Sequence, residues 1–163
     1  MKSPRIGIGF DSHRFVSGKP LVLGGVAVPY ARGLEGHSDA DVLLHALIDA
    51  LLGAAGAGDI GRLFPDDDPA WRGASSLDFL SRACEEVRRR GFRVGNVDVV
   101  VIAEEPRIAP HAADIRRILS AALRVPEDAV SVKGKSNEGM GAIGRREGIA
   151  AQAIALLLPD DPA

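Results

Sequence analysis

A carboxylate and an imidazole stand two residues apart near the start of the chain, in the segment GFDSHRF at 9–15. The preceding run RIGIGF predicts a β-strand, and the two-residue period of a strand directs the side chains of Asp11 and His13 to the same side. Because an aspartate at a strand end often only caps a turn, this pair by itself is weak support for a site. Its side chains are nevertheless of the types that bind metal ions.

A third candidate ligand lies in an apolar segment, 38–52, which predicts a helix with Ser38 and Asp41 in the spacing of a capping box. Asp41, His45 and Asp49 are separated by four residues each and therefore form one narrow polar stripe. The stripe is either the solvated edge of a buried helix or the face of a site, in which an aspartate orients the His45 ring. The pattern of the helix alone leaves both interpretations open.

Taken together, Asp11, His13 and His45 supply one carboxylate and two imidazoles. Three protein ligands with a fourth position left open are typical of a catalytic zinc site. A structural zinc site is not expected, because Cys84 is the single cysteine. The same count excludes an internal disulfide framework and predicts a reducing, cytoplasmic setting. The sequence therefore predicts, provisionally, a metal site.

Three further segments contain groups that suit phosphates, and each also has a simpler explanation. His37, Ser38 and Asp39 begin the predicted helix, where free N–H groups attract anions, but such residues also cap helices. The run FPDDDPAW places three carboxylates between prolines, as solvated turns often do. The loop VKGKSNEGMGAIGR has lysines, a hydroxyl and glycines that could surround phosphates, although it does not fit the Walker pattern.

Composition narrows the class of protein. The chain has 163 residues, 46% of them hydrophobic and 26% charged, which is typical of a soluble globular domain spanning 1–163. The net charge of −2 argues against a broad surface for nucleic acid or membrane. We find no secretory signal and no run of roughly 18 apolar residues that would span a bilayer. Neither nucleic acid nor a membrane is therefore an expected partner.

Strands and helices alternate along the sequence without repeats. Strands are predicted at 5–10, 21–28, 96–103 and 129–134, and helices at 38–52, at 76–90 and from Pro110 onward. The near-continuous valines of 96–103 predict burial on both faces. The closing segment 149–158 is ambiguous, since its alanines favour a helix while its apolar residues alternate. Three helices beside four or five strands predict a two-layer α/β arrangement.

In order along the chain, several of these stretches resemble one enzyme family. They are RIGIGFDSHRF, HSDADVLLHALIDALLGAAGAGDIGRLFPDDD, NVDVVVIAEEPRIAPH and VKGKSNEGMGAIGRREGIAAQAIALL, and the second is highly specific. Over 5–158 the chain resembles the 2-C-methyl-D-erythritol 2,4-cyclodiphosphate synthases of non-mevalonate isoprenoid biosynthesis. The resemblance implies an α+β fold, a two-layer sandwich in which three helices cover one mixed sheet of four to five strands. It also places 149–158 in the sheet and implies a homotrimer with active sites between subunits.

The resemblance further implies roles for individual residues. It assigns zinc, one ion per subunit, to Asp11, His13 and His45, and a second divalent ion, Mg²⁺ or Mn²⁺, to Glu138. Catalytic roles fall on His37 and Ser136. Contacts to the substrate are implied for Asp11, His13, His37, Ser38, Asp59, Ile60, Gly61, Phe64, Pro65, Asp66, Asp67, Asp68 and Arg145. A cytidine pocket from a neighbouring subunit is implied for Ala103, Glu104, Glu105, Pro106, Arg107, Ile108, Ala109, Gly134, Lys135 and Ser136.

The implied reaction converts 4-diphosphocytidyl-2-C-methyl-D-erythritol 2-phosphate into the cyclic diphosphate and CMP. Its obstacle is the repulsion of two phosphate groups, so positioning and charge neutralisation are the expected remedies. Two departures from the family pattern stand out: Ser136 replaces a threonine, and Ala142 stands where an aromatic residue often lines the central cavity of the trimer. Ser136 keeps the hydroxyl group of the threonine that it replaces. The second leaves open whether that cavity binds isoprenoid diphosphates.

Two other classes of function use similar residues. A metal-dependent phosphohydrolase would share the Asp/His ligands but deliver water to phosphorus and release linear products. A non-catalytic trimer that binds isoprenoid diphosphates or nucleotides would keep a pocket, with little reason to keep Asp11, His13, His45 and Glu138 together. The product of the reaction and the presence of bound zinc distinguish these alternatives.

Overall fold

The structure is a computed structural model that describes residues 2–36, 38–65, 71 and 73–160. The strands are β1 Arg5–Val16, β2 Leu21–Leu23, β3 Val26–Val28, β4 Gly33–Leu34, β5 Phe92–Ile102, β6 Val130–Lys135 and β7 Gly148–Pro159. The helices are α1 Val42–Ala55, α2 Ile60–Leu63, α3 Ser76–Arg89, α4 Ala112–Leu123 and α5 Gly141–Gly144.

Five strands form one mixed sheet in the order β4-β1-β7-β5-β6. The closing strand β7 is antiparallel to both of its neighbours, β1 and β5, whereas β5 and β6 are parallel. The three long helices α1, α3 and α4 form the second layer, and β2 and β3 make a separate hairpin. This architecture confirms the predicted α+β sandwich, and it confirms 149–158 as a strand.

Helix α1 lies unusually close to β1, and two glycines make this approach feasible. A Cβ atom on Gly7 would lie 2.0 Å from the carbonyl oxygen of Ala50, and one on Gly9 would lie 1.9 Å from that of Ala46. Both distances are far inside van der Waals contact, so only glycine fits at these positions. The short alanines on the facing side of α1 complete the fit. This backbone contact sets the distance between α1 and β1.

The two faces of the sheet differ sharply. On the helix side, alternate residues of the central strands are fully buried, among them Val97, Val99 and Val101. On the other side, Ile6, Ile8, Phe10 and Ile154 are 74%, 61%, 59% and 47% exposed. The predicted burial of 96–103 on both faces is therefore wrong for the chain by itself, since only the helix-facing valines are fully covered. The opposite face is an apolar surface, which we call the open face.

Several predicted boundaries are corrected by local hydrogen bonding. Helix α1 begins at Val42 and not at Ser38, because the Asp41 carboxylate caps it by accepting from the Leu44 N–H. The predicted strand 21–28 is a hairpin, since Gly24 and Gly25 both have positive φ and turn the chain between β2 and β3.

Other elements are longer or more numerous than predicted. Strand β1 extends past 5–10 to Val16, and β5 starts at Phe92 rather than at 96. A 3₁₀ turn at Ala109–His111 precedes α4. Two short elements lie outside the predicted strands and helices: β4, and α5 within the loop VKGKSNEGMGAIGR. Among the described residues, we find no helix with the length and apolar character needed to cross a membrane.

Candidate functional site

The side chains of Asp11, His13 and His45 converge on one point near the N-terminal end of α1. Asp11 Oδ2 lies 2.8 Å from His13 Nε2 and 3.1 Å from His45 Nδ1, and the two ring nitrogens are 3.2 Å apart. Asp11 and His13 point the same way because they are two residues apart in β1. His45 reaches them because its neighbour Ala46 rests on Gly9.

The three ligand atoms have the spacing that a small divalent ion requires. In a tetrahedral site with bonds of about 2.0–2.1 Å, neighbouring ligand atoms are about 3.3 Å apart. The observed separations, from 2.8 to 3.2 Å, need only a slight expansion to reach that value. One carboxylate and two imidazoles are donors that zinc commonly takes, with the fourth position left for a substrate. The three residues therefore form a candidate metal site, which agrees with the prediction from their types.

The electrostatics of this group follow from its partial burial and its mutual hydrogen bonds. Burial alone would raise the pKa of the Asp11 carboxyl, but hydrogen bonds to His13 and His45 outweigh it and hold the pKa well below its usual range. Burial would likewise lower the pKa of His13, and the neighbouring Asp11 carboxylate raises it instead. Without a cation, the Asp11 carboxylate and the two imidazole rings are thus held together by their mutual hydrogen bonds.

The remaining ring nitrogen of His45 contacts a serine that sequence reasoning missed. His45 Nε2 lies 3.0 Å from Ser76 Oγ and 3.3 Å from Ser38 Oγ. Ser76 is the first residue of α3 and is fully buried. Nothing in the local sequence separates it from an ordinary helix-start serine, because its contact depends on how α3 packs on α1. Ser38, in contrast, was expected near the site.

Of the polar stripe of α1, His45 faces the candidate site as one interpretation predicted, but the predicted role of Asp41 or Asp49 in orienting its ring is wrong. Asp41 is fully buried and accepts hydrogen bonds from the backbone of Gly24, Gly25 and Leu44, so it caps α1 and anchors the β2–β3 turn. Its burial raises its pKa to about 6. Asp49 accepts from the Ile60 N–H at 2.8 Å and holds α2. Among the described residues, neither aspartate hydrogen-bonds to the His45 ring.

A second group of predicted residues meets at the ends of two strands. Because β5 and β6 are parallel, their carboxyl ends lie at the same edge of the sheet, and this places 103–109 beside 134–138. The Ala103 N–H donates to the Lys135 carbonyl at 2.9 Å. A Cβ on Gly134 would lie 2.8 Å from the Ile108 side chain, so only glycine lets the two segments come together. We call these two segments the edge group.

Within the edge group, Glu104 has a clear structural role. Its Oε1 atom accepts from the backbone N–H groups of Asn137 and Gly139, at 2.8 and 3.1 Å. These bonds hold the turn that contains Glu138, whose φ is +52°. Ser136 Oγ donates to the Glu138 carboxylate at 2.8 Å. The Glu104 carboxylate is therefore directed at the turn.

The other edge residues are arranged around these contacts. Glu105 and Pro106 are joined by a cis peptide bond, and Glu105 pairs with Arg146 at 3.3 Å. Arg107 and Lys135 are exposed, as is Ala109, whereas the side chain of Ile108 is buried. Cationic groups are therefore exposed at this edge, as binding of a nucleotide would require.

The predicted substrate segment 59–68 lies partly inside the described structure. Asp59 caps α2 by accepting from the Arg62 N–H at 2.9 Å, and Gly61 and Pro65 are exposed. Phe64 is 5% exposed and stacks on Phe79, so its side chain packs in the core and offers no surface to a substrate. His37, Asp66, Asp67 and Asp68 lie outside the described residues.

Asp11, His13 and His45, which we call the metal group, lie at the same height along the strands as the edge group of the same chain. The two groups are nevertheless far apart across the sheet. Ser12, Ala150, Ile102 and Lys135 form one row across β1, β7, β5 and β6. Three strand spacings of about 4.8 Å separate the ends of that row by roughly 14 Å. Arg145 is exposed and pairs with Glu147 at 2.7 Å, at the start of β7. The two groups of one chain therefore do not form a single compact pocket.

Comparison with known proteins gives one consistent result. The model of the YgbB family matches residues 4–158. The 2-C-methyl-D-erythritol 2,4-cyclodiphosphate synthase of Symbiobacterium thermophilum is 57% identical over 152 residues, which is 93% of this chain and 97% of that protein.

Solved structures of related proteins superpose on this chain over nearly its whole length. The bifunctional IspDF of Campylobacter jejuni superposes with a TM-score of 0.94 at 40% identity, over 98% of this chain and 43% of that one. The CDP complex of IspF from Plasmodium falciparum superposes with a TM-score of 0.86 at 36% identity, over 99% of both chains.

Proposed function

The chain belongs to the YgbB family of 2-C-methyl-D-erythritol 2,4-cyclodiphosphate synthases, and we propose that it cyclises its substrate in a site shared between subunits. It is accordingly a lyase of isoprenoid biosynthesis. The 2-phosphate oxygen of the substrate forms a bond to the β-phosphorus, and the bond from that phosphorus to the bridging oxygen of CMP breaks. The leaving CMP keeps that oxygen.

The observation that supports this function best is the convergence of Asp11, His13 and His45. We propose that they hold zinc, one ion per subunit, and that Glu138 holds Mg²⁺ or Mn²⁺. When bound, such cations withdraw negative charge from the phosphates. Both proposals suit the donor types, since imidazoles favour zinc and a lone exposed carboxylate suits a hard cation with water ligands.

The remaining roles concern the positioning of the substrate. We propose that the edge group binds the cytidine through the backbone of 103–109 and through Gly134 to Ser136, by analogy with the nucleotide in the relatives' CDP complexes. His37, Ser38, Arg145 and the segment 59–68 would fold the methylerythritol phosphate toward the β-phosphorus. No side chain needs to act as a nucleophile. The protein's contribution is proximity, because an oriented internal phosphate has an effective molarity of about 10⁵ M or more.

A homotrimer would bring the two groups together. The separation of roughly 14 Å within one chain leaves the metal group without a nucleotide pocket, and a second copy can supply one. The open face, with Ile6, Ile8, Phe10 and Ile154 exposed, has the apolar character of a subunit interface. We propose closed threefold symmetry, in which each chain, a single domain of residues 1–163, contributes the metal group to one site and the edge group to the next.

The product tests the function directly. Phosphorus NMR of the purified enzyme with the natural substrate should show cyclic diphosphate and CMP in equal amounts. Substituting His37 by Ala should slow the reaction sharply while zinc remains bound, because its proposed role is to position substrate. Release of CMP without the cyclic product would favour the phosphohydrolase instead.

A further inference from the structure

Beyond the three proposed ligands, a chain of hydrogen bonds continues from His45 into the protein. His45 Nε2 lies 3.0 Å from Ser76 Oγ, and the Ser76 hydroxyl donates in turn to Asp39 Oδ1. The Ser76 N–H also donates to Asp39 Oδ2, at 3.0 Å. Ser76 is 0% exposed, so water does not compete for these bonds. The three side chains come from the start of α3, from α1 and from the segment before it.

We propose that Asp39 and Ser76 are positioning residues for the metal ligand His45. With a metal ion bound, the relay would hold the imidazole proton on Nε2 and leave the Nδ1 lone pair for the ion between Asp11 and His13. This inference rests on the metal site of the proposed function, and it adds two residues to which neither the family resemblance nor the sequence pattern gave this task.

The direction of each hydrogen bond follows from what the groups can donate. A carboxylate only accepts, so the single hydroxyl proton of Ser76 is used on Asp39. The oxygen of Ser76 then has only lone pairs left for His45, and the bond forms when Nε2 is the donor. A neutral imidazole has one N–H, so Nδ1 is left as the acceptor. This is the tautomer that a metal ion at Asp11 and His13 requires.

The position of Asp39 is itself well determined. Its backbone N–H donates to the Ala74 carbonyl at 3.4 Å, and its Oδ1 accepts from the Asp41 N–H at 3.3 Å. Asp39 therefore ties the segment before α1 to the segment before α3. Ser38, the other hydroxyl near Nε2, is less constrained: apart from its longer contact with His45 at 3.3 Å, its oxygen accepts from the Ala40 N–H at 3.2 Å. Ser76 is thus the better placed partner.

The neighbouring serine provides a matched control. Ser75 is the N-cap of α3, and its Oγ accepts from the Leu77 N–H at 3.2 Å without touching His45. Ser75→Ala and Ser76→Ala remove the same atom from adjacent positions at one helix start. Loss of the cap should lower the stability of the Ser75→Ala chain. A defect seen only in Ser76→Ala therefore does not come from a weakened α3.

The measurement is the zinc affinity of the full chain, by competition with a chromogenic chelator. Ser76→Ala should weaken zinc binding by about 10–100-fold, and Ser75→Ala should bind like the wild type. Asp39→Asn, which keeps the shape but weakens the acceptor, should show an intermediate loss, and it serves as the second variant if Ser76→Ala folds poorly. The visible absorption bands of the cobalt(II)-loaded protein should shift in Ser76→Ala and not in Ser75→Ala.

A double variant separates a relay from two independent effects. If Asp39 acts through Ser76, adding Asp39→Asn to Ser76→Ala should weaken zinc binding no further. Equal zinc affinity and unchanged cobalt spectra in Ser76→Ala and Ser75→Ala, with the wild type binding zinc, would overturn the relay and leave the proposed metal site intact. A wild type that binds no zinc would overturn both.

Discussion

The metal group and the edge group are built in opposite ways. Asp11, His13 and His45 have side chains only 13–27% exposed, and they are held by a backbone contact between β1 and α1. Ser136 and Glu138 are exposed on a turn that is anchored by one carboxylate, that of Glu104. The three residues of the metal group all come from one chain and are partly buried, whereas Ser136 and Glu138 of the edge group are exposed. We therefore expect metal binding to depend on the single chain and substrate binding to depend on the proposed assembly.

The largest effect is expected from the metal group itself. His45→Ala removes one of three proposed zinc ligands, so it should abolish stoichiometric zinc and lower the rate by about 10³-fold or more. The chain should still fold and assemble, because the open face is untouched. Metal analysis and sedimentation check both parts of this prediction. Stoichiometric zinc in the variant would refute the assignment of His45.

The next effect should come from separating the subunits. Phe10→Asp places a carboxylate on the open face, where Phe10 is 59% exposed in the single chain. If this face is buried between copies, the variant should sediment as a monomer and lose about 10²-fold or more in activity, since burial of an unpaired charge is strongly unfavourable. It should keep its zinc.

Ala121→Asp is a suitable control, because it adds the same charge to an exposed position on α4. It should leave assembly and activity unchanged. An active monomer in either variant would contradict the idea that the two groups need different chains.

A smaller effect is expected from the contact beneath His45. Gly9→Ala adds a Cβ that would lie 1.9 Å from the Ala46 carbonyl oxygen, so α1 must move away from β1. We expect a loss of about 3 kcal/mol in the free energy of unfolding, together with weaker zinc binding. Gly53→Ala, on the exposed side of the same helix with its nearest neighbour at 3.9 Å, should instead be neutral or slightly stabilising. Denaturant unfolding of the two variants gives the comparison.

The smallest effect concerns pH in the zinc-free chain. Burial alone would lower the pKa of His13, but Asp11 raises it above its ordinary value. A raised folded-state pKa stabilises the fold below about pH 6.5, and this stabilisation is lost as the pH rises through the folded-state pKa. With zinc bound, the stability of the fold should instead increase as the pH rises, because the metal binds the neutral ring.

Thermal unfolding from pH 6 to pH 8.5, with and without chelator, measures this slope. His13→Asn does not titrate there and serves as the reference. We expect a difference no larger than the roughly 2–4 °C that 1 kcal/mol represents for a chain of this size. Equal slopes with and without zinc would contradict the role of His13.

The sequence predicted the candidate metal ligands better than the residues that hold those ligands in place. The types and spacing of Asp11, His13 and His45 were enough to predict a metal group, because strand and helix periods fix the directions of side chains. The family resemblance, and not periodicity, predicted the closing strand 149–158. Ser76 could not be found, since it meets His45 only through the packing of α3 on α1.

The errors have a common physical cause. Asp41 looked like a member of a polar stripe because four-residue spacing shows that residues share a face, and says nothing of what that face meets. Its actual partners, Gly24 and Gly25, are 16 and 17 residues away in sequence. In the same way, the valines of 96–103 suggested two buried faces because sequence does not distinguish a face covered by the chain's own helices from one left for a neighbour.

The position of β7 has a consequence for how the protein is made. Among the described strands, β7 comes last in sequence, yet it lies in the middle of the sheet and joins β1 to β5. Until it emerges, the two halves of the sheet have exposed backbone edges and no connection to each other. The sheet can therefore form only after β7 has been made, and such long-range pairing is slow. A chain cut before 148 should therefore lack the strand that joins β1 to β5, and it should be unable to form the continuous sheet.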